Sequence, residues 1–130
     1  MHKIFVYGTL LSGHHNNSIL ADSELLGSDT ITGTLWAVSS FPGFHSIGTS
    51  DIHGEIWNVD NHTLETLDRL EGFLIQGHPN NLYNRVQVTT NISKETVWVY
   101  EWNDDVENIK TYKYDKIETG NYRDYYRKVR

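Results

Sequence analysis

The sequence predicts an α+β fold: a small mixed or antiparallel sheet that curls into a β-barrel, flanked by a few helices. Five short runs rich in β-branched and aromatic residues are joined mostly by turn formers. Only one segment carries a well-marked helical stripe. Regular strand–helix–strand alternation and Gly-rich nucleotide fingerprints are both missing, which argues against a doubly wound α/β fold.

Taken in order, Lys3 to Tyr7 reads as a strand stopped by Gly8. Residues 14–21 are weakly helical, with Asn16 or Asn17 available as a cap. Ile31 to Val38 and Gly54 to Val59 read as strands, separated by a turn-rich stretch around Phe41-Pro42-Gly43-Phe44. Asp60 or Asn61 caps a helix running to about Glu71, with Gly72 as its stop. A loop containing Gly77, His78, Pro79, Asn80 and Asn81 follows. Val86 and Val88 alternate with Arg85, Gln87 and Thr89 as a half-buried strand. Val97 to Trp102, apolar on both faces, reads as a central strand. The run from Tyr122 to Arg130 is basic and aromatic, and reads as a tail with solvated charges.

At 130 residues the chain is near the commonest domain size, which predicts one domain over 1–130 with a hydrophobic core of its own. The net charge of −6 gives no footprint for nucleic acid or an anionic membrane. No apolar window reaches the roughly 20 residues of a membrane span, and the N-terminus lacks a secretion signal. The chain contains no cysteine, which excludes disulfides and thiolate chemistry and fits a cytoplasmic protein.

Glu71 is the anomaly of the helix. Leu64, Leu67 and Leu70 mark its apolar stripe, and Glu71 falls inside that arc, seven residues after Leu64. A carboxylate there is costly to desolvate, and it lies in the last turn, where the helix dipole disfavours negative charge. Both effects raise its pKa toward the range a general acid/base needs. The bland alternative is a frayed helix end that turns Glu71 into water beside Gly72. Asp68, one turn earlier, either supports Glu71 or is simply solvated.

The loop Tyr7-Gly8-Thr9-Leu10 is a second signal. A Gly directly after a strand lets backbone N–H groups converge on an anion, and Thr9 adds a hydroxyl. No P-loop lysine follows, so a carboxylate fits better than a pyrophosphate. Seven histidines show no metal-ligand spacing and read as surface residues. No nucleophile elbow occurs. A glycosidase-style carboxylate pair would combine Glu71 with Glu55 or Asp68. Tyr83 and Arg85 share strand parity, which leaves two readings for Arg85: a pocket face shared with Tyr83, or a solvated face.

Seven segments in order resemble the γ-glutamylcyclotransferase / AIG2-like superfamily. They are Phe5 to Leu10, Gly33-Thr34-Leu35-Trp36, Phe41-Pro42-Gly43, Gly54-Glu55-Ile56-Trp57 through Leu67-Asp68-Arg69-Leu70-Glu71-Gly72, Tyr83 to Val88, Val97 to Tyr100 and Ile117 to Arg123. The resemblance implies a compact barrel with a pocket beside the first loop. It also implies cyclisation of a γ-glutamyl group to 5-oxoproline with release of an amine or amino acid, without cofactor or metal. By the same resemblance Glu71 is the acid/base, Tyr7, Gly8, Thr9 and Leu10 form the substrate loop, and Tyr83 is a pocket tyrosine. The implied partner is a small γ-glutamyl substrate. The segment Phe73 to Leu82, longer than in the shortest relatives, is expected to border the leaving-group side. The alternative is a non-catalytic module on the same fold that binds a small carboxylate or a protein.

Overall fold

The computed structural model describes residues 1–38, 41–103 and 114–129. In chain order these form β1 (His2–Val6), a 3-10 turn (Asn17–Leu20), β2 (Glu24–Ala37), β3 (Pro42–Val59), α1 (Asn61–Leu70), β4 (Tyr83–Thr89), β5 (Thr96–Trp102), β6 (Asp115–Lys116) and α2 (Tyr122–Val129). The six described strands make one sheet in the order β4-β5-β1-β3-β2-β6.

The sheet is mixed, because β1 runs parallel to β5 while its other neighbour, β3, is antiparallel. The long β3 cannot stay flat at about 3.3 Å per residue within so small a molecule. Its register against β2 jumps between Gly33↔Ser50 and Thr34↔His45, leaving residues 46–49 out of the ladder. Beyond this bulge the strand changes direction. Its C-terminal part pairs with β1, and Phe44 near its other end reaches β5 opposite Glu101. Since β5 touches both β1 and β3, the sheet curls into a half-barrel. Ile4, Phe5, Leu35, Phe44, Ile52, Leu67 and Val99 belong to one hydrophobic core, each no more than 1% exposed.

Helix α1 follows the amphipathic rule, burying Leu64 and Leu67 against the sheet. Asp60 caps it, its carboxylate accepting from the Thr63 amide at 2.7 Å. Glu71 is the C-cap, and Gly72 ends the helix at φ +63°.

The structure departs from the sequence expectation in four places. β2 begins at Glu24, seven residues before Ile31, and β3 begins at Pro42, inside the stretch expected to be a turn. A proline is tolerated at the first position of a strand, where its missing donor matters least. The short β6 was not expected, and brings the count of described strands to six. Finally, Tyr122 to Val129 is a helix rather than a solvated tail. Asn121 caps it by accepting from the Arg123 amide, and Tyr122 is buried.

Candidate active site

A cavity of about 240 Å³ opens between the end of α1 and the loop after β1. Its walls come from distant parts of the chain: Tyr7 to Leu10, His15 and Asn16, Phe41 and Pro42, Leu70 and Glu71, Leu82 and Tyr83, and Tyr100. Drug-sized sites occupy roughly 300–1,000 Å³, so this one suits a smaller ligand.

Glu71 is half-buried and lines this cavity rather than turning out into water. No described residue donates a hydrogen bond to its carboxylate. Burial alone therefore acts on it, and raises its pKa from an ordinary 4.5 to about 7. The group can thus hold or release a proton near neutrality.

The loop Tyr7 to Leu10 forms the facing wall, and its residues have different tasks. The Tyr7 hydroxyl donates to the Tyr100 carbonyl at 2.6 Å and accepts from the Phe44 amide at 3.1 Å, stitching β5 to β3. Burial, first, and then the negative charge of nearby groups hold the phenol above its ordinary pKa, so it stays neutral. Gly8 is required by close approach rather than by a left-handed backbone: a Cβ there would lie 2.5 Å from Pro42 Cγ. The amides of Gly8, Thr9 and Leu10 donate to no described residue. Asn16 holds the loop in shape, its amide bonding to the Thr9 carbonyl and its Nδ2 donating to Thr9 Oγ1. Asn17 Nδ2 donates to the Leu10 carbonyl. The outcome is a row of N–H groups without a described partner in a wall of the cavity that Glu71 also lines.

Tyr83 lines the same cavity, and its hydroxyl donates to the Pro42 carbonyl at 2.8 Å. Burial, reinforced by Glu71, raises its pKa and keeps the phenol protonated. Arg85, despite sharing its parity, belongs elsewhere. Its guanidinium lies over the Trp98 ring at 4.5 Å and the Phe73 ring at 5.2 Å, with Nε 3.1 Å from Asp68. Asp68 is neither a support for Glu71 nor solvated, because the Tyr100 hydroxyl also donates to it at 2.6 Å. These residues border a separate open groove, to which Phe73, Leu74, Ile75 and Gln76 also turn. Of the Phe73–Leu82 segment, only Leu82 lines the Glu71 cavity.

Glu55 does not line the cavity either. Among the residues that do, Glu71 is the one carboxylate, so a glycosidase-style pair has no second member there. No group of three or more His, Asp or Glu that could hold a metal gathers among the described residues. None of the described helices is long and apolar enough to cross a membrane. His15, Asn16, Leu82 and Tyr100 are not among the site residues expected from the sequence. Each reaches the cavity through tertiary placement, although the two Asn after the loop are a local sign of side chains that bind backbone.

A carboxyl of raised pKa shares a small cavity, on a mixed half-barrel, with a loop whose amides have no described partner. The family described as gamma-glutamyl cyclotransferase, AIG2-like, matches residues 4–124, and the chain belongs to it. Its activity class is accordingly that of the γ-glutamylcyclotransferases. It is 32% identical over 109 residues to the gamma-L-glutamyl-butirosin B gamma-glutamyl cyclotransferase of Niallia circulans, covering 81% of this chain and 69% of that one. The solution structure of ytfP from Escherichia coli is similar at TM-score 0.67 and 29% identity, over 92% of this chain and 95% of that chain. An aig2-like protein from Mus musculus shares the fold, with TM-score 0.68, 23% identity, and coverage of 82% of this chain and 81% of that one.

Proposed function

We propose that this protein cyclises the γ-glutamyl group of a small conjugate to 5-oxoproline and releases the attached amine or amino acid, with Glu71 as acid/base. One observation carries the reading. The carboxyl that burial poises near pH 7 shares a cavity with Gly8, Thr9 and Leu10, whose amides have no described partner.

Ionised Glu71 takes a proton from the substrate's α-ammonium. The freed amine nitrogen attacks the γ-carbonyl carbon, forming the ring C–N bond and a tetrahedral oxyanion. Collapse of that intermediate breaks the bond to the leaving nitrogen, which takes the proton back from Glu71. The restored carboxylate then relays the ring nitrogen's surplus proton to the freed amine, which leaves as an ammonium. No net proton is consumed, and Glu71 returns to its starting state. Because ring closure is intramolecular, holding the glutamyl chain folded supplies much of the rate. The amides of Gly8 to Leu10 hold the α-carboxylate or the oxyanion, where fixed donors in a water-poor site are most effective. Tyr83 contributes a wall to the pocket.

The test is release of 5-oxoproline from a panel of γ-glutamyl amines and γ-glutamyl amino acids. Wild type should release it and Glu71→Gln should not, with the variant's circular dichroism unchanged. Release by neither protein from any panel member, or equal release by both, sinks the reading.

A further inference from the structure

The substrate loop is held from behind by the C-terminal helix. Arg123, in the first turn of α2, sends Nη2 to the Ser12 carbonyl at 2.8 Å and to Glu55 Oε2 at 3.3 Å. Glu55 Oε1 accepts from the Ser12 amide at 2.9 Å and the Ser12 hydroxyl at 3.1 Å. The Trp57 indole N–H adds a further bond at 3.3 Å. Ser12 is therefore bound on its amide, its hydroxyl and its carbonyl by one ion pair. Glu55 is only 6% exposed, and the chemistry proposed above does not use it.

The position of this clamp matters. Ser12 follows Leu10 by two residues and precedes Gly13, whose φ is +86° and where a Cβ would meet nothing within 4 Å. Gly is the residue with the most backbone freedom to lose, so this joint needs an outside restraint. On the far side of the joint, the His14 ring packs against Tyr122 at 5.5 Å and Tyr126 at 5.1 Å, both on α2. His15 and Asn16 then return to the cavity wall. One face of the segment 8–16 thus lines the cavity while the other is fastened to α2.

Resting on the function proposed above, we infer that Arg123 is a positioning residue for substrate binding: by fixing Ser12 it fixes the aim of the Gly8–Leu10 amides. A charge-assisted hydrogen bond to a carbonyl beside a glycine is well suited to this, being both directional and strong. Glu55 orients the guanidinium and neutralises it in turn.

The experiment measures KM and kcat for 5-oxoproline release, and 5-oxoproline affinity by calorimetry, well below each variant's melting temperature. Arg123→Ala should raise KM and the 5-oxoproline Kd by about tenfold with a smaller change in kcat. Arg123 is 34% exposed, so its side-chain site opens to solvent. Millimolar guanidinium should therefore lower the KM of Arg123→Ala and leave that of wild type alone, a rescue that a purely structural loss would not show. If Arg123→Ala does not fold, Arg123→Lys carries the test and should show about a threefold rise in KM, since one ammonium serves the carbonyl and carboxylate less well. A wild-type KM and Kd in Arg123→Ala, or in Arg123→Lys where that variant decides, overturns the inference alone. Wild-type protein that neither turns over substrate nor binds 5-oxoproline overturns both this inference and the function on which it rests.

Discussion

Glu71 and Glu55 are the same side chain in two sheltered places, with opposite outcomes. Burial raises Glu71 to about 7, and no described residue opposes it. Burial also pushes Glu55 upward, but the Ser12 amide and hydroxyl, the Trp57 indole and Arg123 outweigh it and hold the carboxyl below its ordinary pKa. Desolvation is thus only half of what sets a carboxyl's charge; the donors within reach decide the sign. The protein keeps one carboxyl underprovided with partners in a cavity and surrounds the other with them beneath the loop. Asp29 extends the second pattern. It takes two bonds from Ser93 and one each from the amides of Ile92 and Thr30, and despite burial its pKa is strongly lowered.

The comparison breaks most visibly at Glu71 itself. Removing the proton-exchanging group should cost about 10²–10⁴ in kcat, so Glu71→Gln is expected at the assay floor for 5-oxoproline release. A Glu55→Gln protein that loses as much would show that the two carboxyls do not differ in role. Next in size is stability. Glu55→Leu removes the acceptor of several donors and leaves the Arg123 charge without its partner, and should cost about 2–4 kcal/mol in urea unfolding. Glu55→Gln, which retains one acceptor oxygen, should cost clearly less.

Opposite pKa shifts also demand opposite pH dependence. The folded chain holds the Glu71 proton more tightly than the unfolded chain does. Between the ordinary 4.5 and about 7, Glu71 therefore makes the fold less stable as pH rises, by at most about 3 kcal/mol. Glu55, with its lowered pKa, contributes stability above its ordinary value of 4.5 and loses it as pH falls. Glu71→Gln should thus melt several degrees above wild type at pH 8, with the gap closing toward pH 4.5. A gap that is constant with pH would remove the claim that Glu71 is ionised at a cost. The smallest effect is reserved for a single donor. Trp57→Phe takes away one of the bonds to Glu55 and some buried volume, and should cost about 1–2 kcal/mol without moving KM.

Much of this contrast was legible in the sequence on one side and hidden on the other. Glu71 stood out because a helix has a period, and a charged residue inside the apolar arc violates it over a few neighbouring positions. β1, α1 and the central β5 were readable for the same local reason, with Asp60 one of two candidate caps. The fate of Glu55 depends on Ser12 and Arg123, separated from it by 43 and 68 residues, and no local pattern encodes such a meeting. Arg85 shows the limit of parity. Its spacing from Tyr83 was informative about the strand, yet the rings of Phe73 and Trp98 and the carboxylate of Asp68 draw it to a different groove. Pro42-Gly43 carried the composition of a turn, but Pro42 opens β3, and Gly43 lies so close to Trp102 that only a residue without a side chain fits. Helix α2 did have its signal, in Tyr122, Tyr125 and Tyr126 behind an Asn121 cap, but the interspersed Arg and Asp masked it as a tail.

The parallel contact between β1 and β5 has a consequence for how the protein comes into being. Ile4 sits beside Trp98, so the strand that leads into the Tyr7–Leu10 loop stays without that neighbour until residue 98 has been made. The walls of the cavity likewise come from segments as far apart as Phe5 and Tyr100. Contacts between such remote segments form slowly, because the intervening chain must close first. During synthesis the cavity is therefore among the last features to assemble, and a partly made chain carries the Tyr7–Leu10 loop and Glu71 without the β5 wall that joins them.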